Sequence, residues 1–537
     1  MTGYSTIADL SDSGGTGAGI MAPQRRGRIS KVGGGSASMM SSNINLVNTI
    51  IGAGTLAMPL AMSHFGVMLG VILIVWCGLT SAFGLYLQGR CSRYIDRGSS
   101  SFFALSQMTY PNAAVVFDAA IAIKCFGVGV SYMIIIGNLM PGVVKAFGTG
   151  AEGLPFLADR KFWITVFFLV FIIPLSFPKK LDSLKYTSLV ALVSIGYLII
   201  LVVYHFAADD HSDRGEIRFI TWEGPVAALS SLPVIIFAYT CHQNMFSILN
   251  EIKDNSPGSI VGVIASSIGS AASVYVLVAI TGYLTFGSGV DGNIVSMYSA
   301  SIPSTIAKAA IVILVTFSVP LQVHPCRASV DAVLRWRPGK RLPANGGSQG
   351  SLPGSQPLLP SVNSSGPLDS HGAPATAMSE LRFALITSGI LVLSYITALN
   401  VSSLDRVLAY VGSTGSTAIS FILPGMFYYK ISDPDSIYHQ RLTKEDDDAD
   451  FSEAASDDSI PEASGSGIVD SVASIHSIAG GGAGGLSRWR WRRKWRWDME
   501  HIETVLLRKL ALLLSIYGFC VMIVCLSMNA FLSHSKK

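Results

Sequence analysis

The chain has 537 residues, of which 50% are hydrophobic and 13% charged, with a mean hydropathy of +0.48. The charged fraction is about half that of an average soluble domain, and many separate apolar runs of about 18 residues or more place the chain among polytopic, all-α membrane proteins. The net charge of +4 is small and dispersed, which argues against a nucleic-acid partner.

Residues 1–40 are Ser/Gly-rich, carry Arg25, Arg26, Arg28 and Lys31, and open with no signal peptide, so they read as a disordered cytoplasmic tail. About eleven apolar runs follow, near 43–65, 67–89, 113–147, 162–178, 185–207, 226–250, 258–285, 302–332, 381–399, 405–430 and 508–532. The third and eighth are long enough to tilt steeply or to extend beyond the bilayer. Helices 1–8 fall within residues 41–336, helices 9 and 10 within 381–431, and helix 11 with a short tail within 508–537.

Two insertions separate these blocks. Residues 337–380 are Pro/Ser/Gly-rich and read as a disordered linker. Residues 432–507 begin with the acidic run "KEDDDADFSEAASDDS" and end with "RWRWRRKWRW". Alternating Trp and Arg before a span suit the headgroup region, where rings bury and guanidiniums meet anionic lipid.

Orientation follows from the Lys/Arg bias of the short loops. Arg90, Arg93, Arg97, Lys179, Lys180, Lys185, Arg335, Arg337, Lys340 and Arg341 fall on the side of the basic N-terminal tail. The other side carries "ADDHSDRGE" and "GSGVDGN". An odd number of spans then puts the N-terminus in the cytoplasm and the C-terminus outside or in a lumen.

Span one contains "NTIIGAGTLAMP", residues 48–59. At 1.5 Å per residue, Gly52, Ala53 and Gly54 lie about 15 Å into a ~30 Å hydrocarbon core. Non-helical backbone at that depth is tolerated only where it is buried in protein or lines a cavity. An unwound segment there would expose the amides of Gly54, Thr55 and Leu56 at the start of a second half-helix, whose partial positive charge binds a carboxylate. Thr49 lies one turn before the break.

Span three carries Lys124, an ionisable group whose insertion cost of about 2.5–3.5 kcal/mol near the bilayer centre means that it either faces the interior in a functional role or snorkels to the interface. It is a candidate proton carrier, or a fixed charge in place of a sodium ion. Tyr132, two turns further on, is a candidate to close over a bound carboxylate, the alternative being an aromatic that only packs. Span six, "PVAALSSLPVIIFAYTCHQNMFSILNEIKD", interrupts its apolar run with Tyr239, Thr240, Cys241 and His242. Spans one and six are corresponding members of inverted five-span repeats, and paired midplane breaks of this kind point to a transporter's binding site. His242 titrates near neutrality when unperturbed and is a candidate proton group.

The seven cysteines fall within spans or at their ends, which does not suggest a disulfide framework, and none has metal-ligand spacing. The sequence holds no catalytic constellation, phosphate-binding loop or cofactor motif, so no enzyme and no cofactor is expected.

"LVNTIIGAGTLAMPLAMSHFG", "FAYTCHQNMFSILNEI", "VGSTGSTAISFILPGMFYY" and "SVPLQVHPCR" resemble signatures of the amino acid/auxin permease family, nearest its fungal vacuolar branch. The resemblance covers roughly residues 40–336 and 380–532. It implies an eleven-span LeuT-type fold with broken helices 1 and 6, neutral or broad-range amino acid substrates, coupling to protons rather than sodium, and a vacuolar membrane. In such a fold Thr316 and Ser318, just before Pro320, are candidate cation ligands. The chain departs from relatives that carry an acid after "IIIG", since it reads "IIIGN" with Asn138. Alternative readings are an amino acid sensor signalling through the long cytoplasmic segments, or sodium-coupled uptake at the plasma membrane.

Overall fold

The computed structural model describes residues 35–335 (apart from 36, 96, 147–154, 179–186 and 209–213), 379–443 and 483–535. The long N-terminal tail, the linker after span eight and the acidic run therefore lie outside the described residues.

The described chain is helical. Span one is two helices, α1 (Met39–Ile50) and α2 (Ala53–Phe65), bent by 55° at the break. Then come α3 (Val67–Ser92), a short surface helix α4 (Phe102–Thr109) and α5 (Ala114–Ala146). Span four is α6 (Arg160–Phe167) and α7 (Ile173–Ser176), joined by a π-helical turn at Phe168–Ile172, and span five is α8 (Thr187–Ala207). Span six is again divided, into α9 (Pro225–Ala238) and α10 (His242–Glu251). Next are α11 (Pro257–Phe286), the short α12 (Ile294–Met297), α13 (Ile302–Arg335) and α14 (Glu380–Asn400). Span ten is α15 (Leu404–Val411) and α16 (Leu423–Ile431) around π turns at 412–416 and 418–422. The last helix, α17, runs from Ala483 to Ser535, so the Trp/Arg segment is helical and continuous with the final span.

Local sequence explains many helix starts. Ser38, Ser101, Ser256, Ser379 and Ser403 each accept a bond from an amide in the first turn of α1, α4, α11, α14 and α15. Such hydroxyl caps satisfy amides that have no partner within the helix.

Packing follows the logic of lipid rather than water. The buried face of α3 is lined by Gly70, Cys77, Gly78, Ser81 and Gly84, while Met68, Ile72 and Leu79 are exposed. Lipid tails solvate large apolar groups as well as protein does, so small residues go inside, where they let backbones approach. The long helices α5 and α13 lie along each other, and α2 packs on α9 and α11. Because α2 lies against α9 and α1 against α10, the two broken spans run antiparallel with their breaks facing.

At the far end of α2 the chain turns sharply into α3. Gly66 has a φ of +74°, and a Cβ there would lie 2.5 Å from the Thr221 carbonyl oxygen. Only glycine adopts that left-handed conformation freely.

Candidate functional site

The first break is at Ile51 and Gly52. The amide of Ile51 still bonds back to Val47, and helix resumes at Ala53 with Gly52 as its cap. Thr55 already donates its amide to the Gly52 carbonyl, at 3.0 Å. The helix therefore restarts earlier than the sequence suggests, and the amides at its mouth are those of Ala53 and Gly54 rather than Thr55 and Leu56. Thr55 is fully buried.

The two glycines have different tasks. A Cβ on Gly52 would meet only the Tyr132 hydroxyl, 3.8 Å away, so this position opens toward span three. A Cβ on Gly54 would lie 2.5 Å from Cβ and 2.8 Å from Cα of Ala238. Gly54 is thus where α2 and α9 touch. Its small size serves helix contact, not ligand approach.

The second break spans Tyr239, Thr240 and Cys241, all buried. The Tyr275 hydroxyl, from α11, lies 2.7 Å from the Ile50 carbonyl oxygen and 2.8 Å from that of Ala238. It occupies the C-terminal ends of α1 and α9 together. Those ends carry partial negative charge, so one phenol serves two electronegative helix termini. The Ala238 carbonyl, at the end of the first half-helix of span six, is therefore already engaged by protein. Tyr239 packs edge-on against Tyr275, with ring centroids 5.1 Å apart.

Around these ends the neighbouring helices hold the irregular backbone. Ser81 donates to the Tyr239 carbonyl at 3.2 Å, and Gln88 donates to the His242 carbonyl at 3.4 Å. The Thr240 hydroxyl donates to Ile236 at 2.8 Å and lies 3.3 Å from Ser420 Oγ, so it ties span six to span ten. Asn244 donates to Thr49 Oγ1 at 3.0 Å, linking α10 to α1.

His242 is fully buried, with Nε2 3.1 Å from the Ser81 carbonyl oxygen. A carbonyl only accepts, so Nε2 carries the proton and Nδ1 is the acceptor. Among the described residues, Nδ1, the Tyr239 hydroxyl, Gln243 Oε1, Gln88 Oε1 and Ser416 Oγ are buried atoms that meet no partner. A buried polar atom left unpaired costs about 1–3 kcal/mol, so this polar capacity beside the breaks suits a polar ligand.

Lys124 is 4% exposed and does not snorkel to an interface. A Cβ on Gly415 would lie 2.8 Å from both Cβ and N of Lys124, so the π turn of span ten closes directly over it. It lies near Cys241 and His242 at the second break. The structure thus brings Thr49, Gly52, Ala53, Gly54, Thr55, Tyr132, Tyr239, Thr240, Cys241, His242 and Lys124 to facing elements around the two breaks.

Thr316 and Ser318 donate to their own helix one turn back, to Val312 at 2.6 Å and Leu314 at 2.8 Å. This is ordinary behaviour for hydroxyls inside a helix. Asn138 lies toward the end of α5 and donates to the Ser402 carbonyl at 3.4 Å. A cavity of about 310 Å³ opens elsewhere, among Arg93, Arg97, Asn250 and Asn255, whereas the residues at the breaks are closed over. We assign the site to the breaks, because that is where broken backbone and buried polar atoms converge. Among the described residues no cluster of His, Cys, Asp or Glu is arranged to hold a metal.

Sequence reasoning missed Tyr275, Ser81, Gln88 and Ser416. Tyr275 sits in the apolar run "SVYVLV", where nothing distinguishes a packing tyrosine from one that bonds two helix ends.

A family model described as transmembrane amino acid transporter protein matches residues 35–446. Vacuolar amino acid transporter 5 of Schizosaccharomyces pombe is 44% identical over 399 residues, covering 74% of this chain and 86% of that relative. Sodium-coupled neutral amino acid transporter 7 of Mus musculus is 29% identical over 327 residues, covering 58% of this chain and 67% of that relative. Among solved structures, the inward-facing conformation of Mhp1 aligns with a TM-score of 0.47 at 12% identity, covering 76% of this chain and 78% of that one.

Proposed function

The chain belongs to the transmembrane amino acid transporter family and is an amino acid transporter, and we propose that it carries neutral or a broad range of amino acids from the vacuolar lumen to the cytosol by proton-coupled alternating access. The observation that carries this reading is the pair of antiparallel broken spans whose half-helix ends meet at Tyr275. The mouth of α2 offers amides to a substrate carboxylate, with Tyr132 facing Gly52 across from it. The break of span six offers buried polar atoms to the rest of the substrate.

The basic loops on one face and acidic loops on the other support a cytoplasmic N-terminus. The name of the S. pombe relative supports a vacuolar membrane. Each pH unit across the membrane is worth about 1.4 kcal/mol per proton, roughly tenfold in concentration. One proton leaving an acidic lumen therefore suffices to carry a neutral amino acid with it. Lys124 and His242 are the groups beside the breaks that we assign to proton handling.

The name of the mouse relative raises sodium coupling as a second reading. Thr316 and Ser318, whose hydroxyls serve their own backbone, lend it little support. The test is amino acid efflux from proteoliposomes of defined interior pH, in sodium-free buffer, with and without a protonophore. Efflux that rises with interior acidity and falls with the protonophore is expected. Efflux that requires sodium and ignores the protonophore overturns proton coupling.

A further inference from the structure

His64 stands in the last turn of α2, at the opposite end of that helix from the break. Its Nδ1 lies 2.5 Å from Ser231 Oγ on α9. Its Nε2 lies 3.7 Å from Oε2 of Glu223, in the connection that leads into α9. The imidazole thus touches both half-helices that close one face of the site, and the segment joining span five to span six.

That segment is sewn to the same corner by backbone. Glu223 donates its amide to the His64 carbonyl at 3.0 Å, Val67 donates to Arg218 at 3.0 Å, and Met68 donates to Phe219 at 2.9 Å. Among the described residues, this segment also supplies charged groups. Arg218 lies 3.5 Å from Glu223 and 3.9 Å from Glu216. Unlike the buried atoms at the breaks, this corner meets solvent, with the His64 side chain 24% and that of Glu223 45% exposed.

A protonated His64 adds a positive charge beside the Glu223 carboxylate. A neutral imidazole also has a single N–H. The charged ring has two, one for Ser231 and one for Glu223, and the Ser231 hydroxyl turns from donor to acceptor.

We propose that His64 is a proton-binding site that, when charged, clamps α2, α9 and residues 216–223 together. The proton comes from water on the face that these elements close. For its place in transport the proposal rests on the proton-coupled reading above, in which that face is the acidic one. There, acid would seal the outer corner and favour substrate release to the other side. His64 would be the first group to take the proton, ahead of the buried Lys124 and His242.

The experiment uses the full-length protein in liposomes and compares wild type with His64→Gln, which keeps a side-chain donor but cannot charge. Amide hydrogen-exchange protection of residues 214–224 is measured at pH about 5.5 and about 7.5, a range that brackets an ordinary imidazole. Protection, corrected for the intrinsic pH dependence of exchange, should rise severalfold in acid for wild type and stay level for His64→Gln. The same acid response in both proteins overturns the proposal. Should His64→Gln fail to fold, Glu223→Gln decides: it keeps the imidazole and removes its counter-charge. A response that then needs more acid supports the site, and an unchanged response overturns it. Efflux is measured in parallel. A His64-dependent acid response in protein whose efflux ignores the protonophore leaves the proton site standing and removes the coupling reading instead.

Discussion

The hydroxyl of Tyr275 lies 2.7 Å from the carbonyl oxygen of Ile50, the last residue of the first half-helix of span one. The same hydroxyl reaches Ala238 at the end of the matching half-helix in span six. One proton thus stands between two helix ends that no backbone amide completes. Removing it with Tyr275→Phe leaves both carbonyls buried without that donor, at a cost of about 1–3 kcal/mol. The variant should melt several degrees lower in detergent and lose most of its transport. A variant with wild-type melting and flux would show that Tyr275 merely packs.

The contact between Gly54 and Ala238 predicts a compensating pair. Gly54→Ala places its Cβ 2.5 Å from that of Ala238, and overpacking of this kind costs about 1–3 kcal/mol. Ala238→Gly removes the nearer obstructing atom, the Cβ, and leaves the Cα at 2.8 Å. The double variant should recover part of the stability and flux lost by Gly54→Ala, as expected for residues in direct contact. Independent, additive losses would place the strain elsewhere.

Gly52 behaves differently because a Cβ there meets nothing closer than the Tyr132 hydroxyl, at 3.8 Å. Gly52→Val should therefore insert and melt like wild type while losing transport, since its bulk fills the space between the α2 mouth and Tyr132. Near-normal uptake by a correctly inserted Gly52→Val protein would move the carboxylate site away from this break.

Lys124 is enclosed by the π turn of span ten and lies near the break of span six. Lys124→Gln should retain exchange of substrate across the membrane but lose its acceleration by a pH gradient. The measurement is counterflow with equal pH on both sides against net efflux down a gradient. Loss of both activities together would assign Lys124 to structure rather than coupling.

A titration is expected at the start of α11. Hydrogen bonds from Ser259, and from the amide and hydroxyl of Ser256, hold the exposed Asp254 carboxyl below its usual range. Because the shift is downward, its small contribution is present above the ordinary carboxylate range and is lost as pH falls through the lowered value. Asp254→Asn should thus lower the melting temperature slightly at neutral pH and make no difference in strong acid. Equal effects at both pH values would mean that the charge is immaterial.

The apolar runs by themselves marked the long helices, of which eight, or nine with the bent pair of span one, are long and apolar enough among the described residues to cross a membrane, because every backbone group in hydrocarbon must be bonded within its own helix and about twenty apolar residues are needed to cross. The breaks were legible for the same reason: "GAG" in span one and "YTCHQ" in span six are the residues that an uninterrupted membrane helix would not choose. Where helix resumed was off by a residue or two, since capping at Gly52 depends on local geometry that composition does not specify. What faces what was decided only in three dimensions. Gly52 and Gly54 look alike in sequence, yet one opens toward Tyr132 and the other abuts Ala238. His64 meets Ser231 across 167 positions, and Tyr275 meets Ile50 across 225. In a membrane both faces of a span are apolar, so periodicity cannot mark the inner one, and contacts between distant spans emerge only when the helices pack.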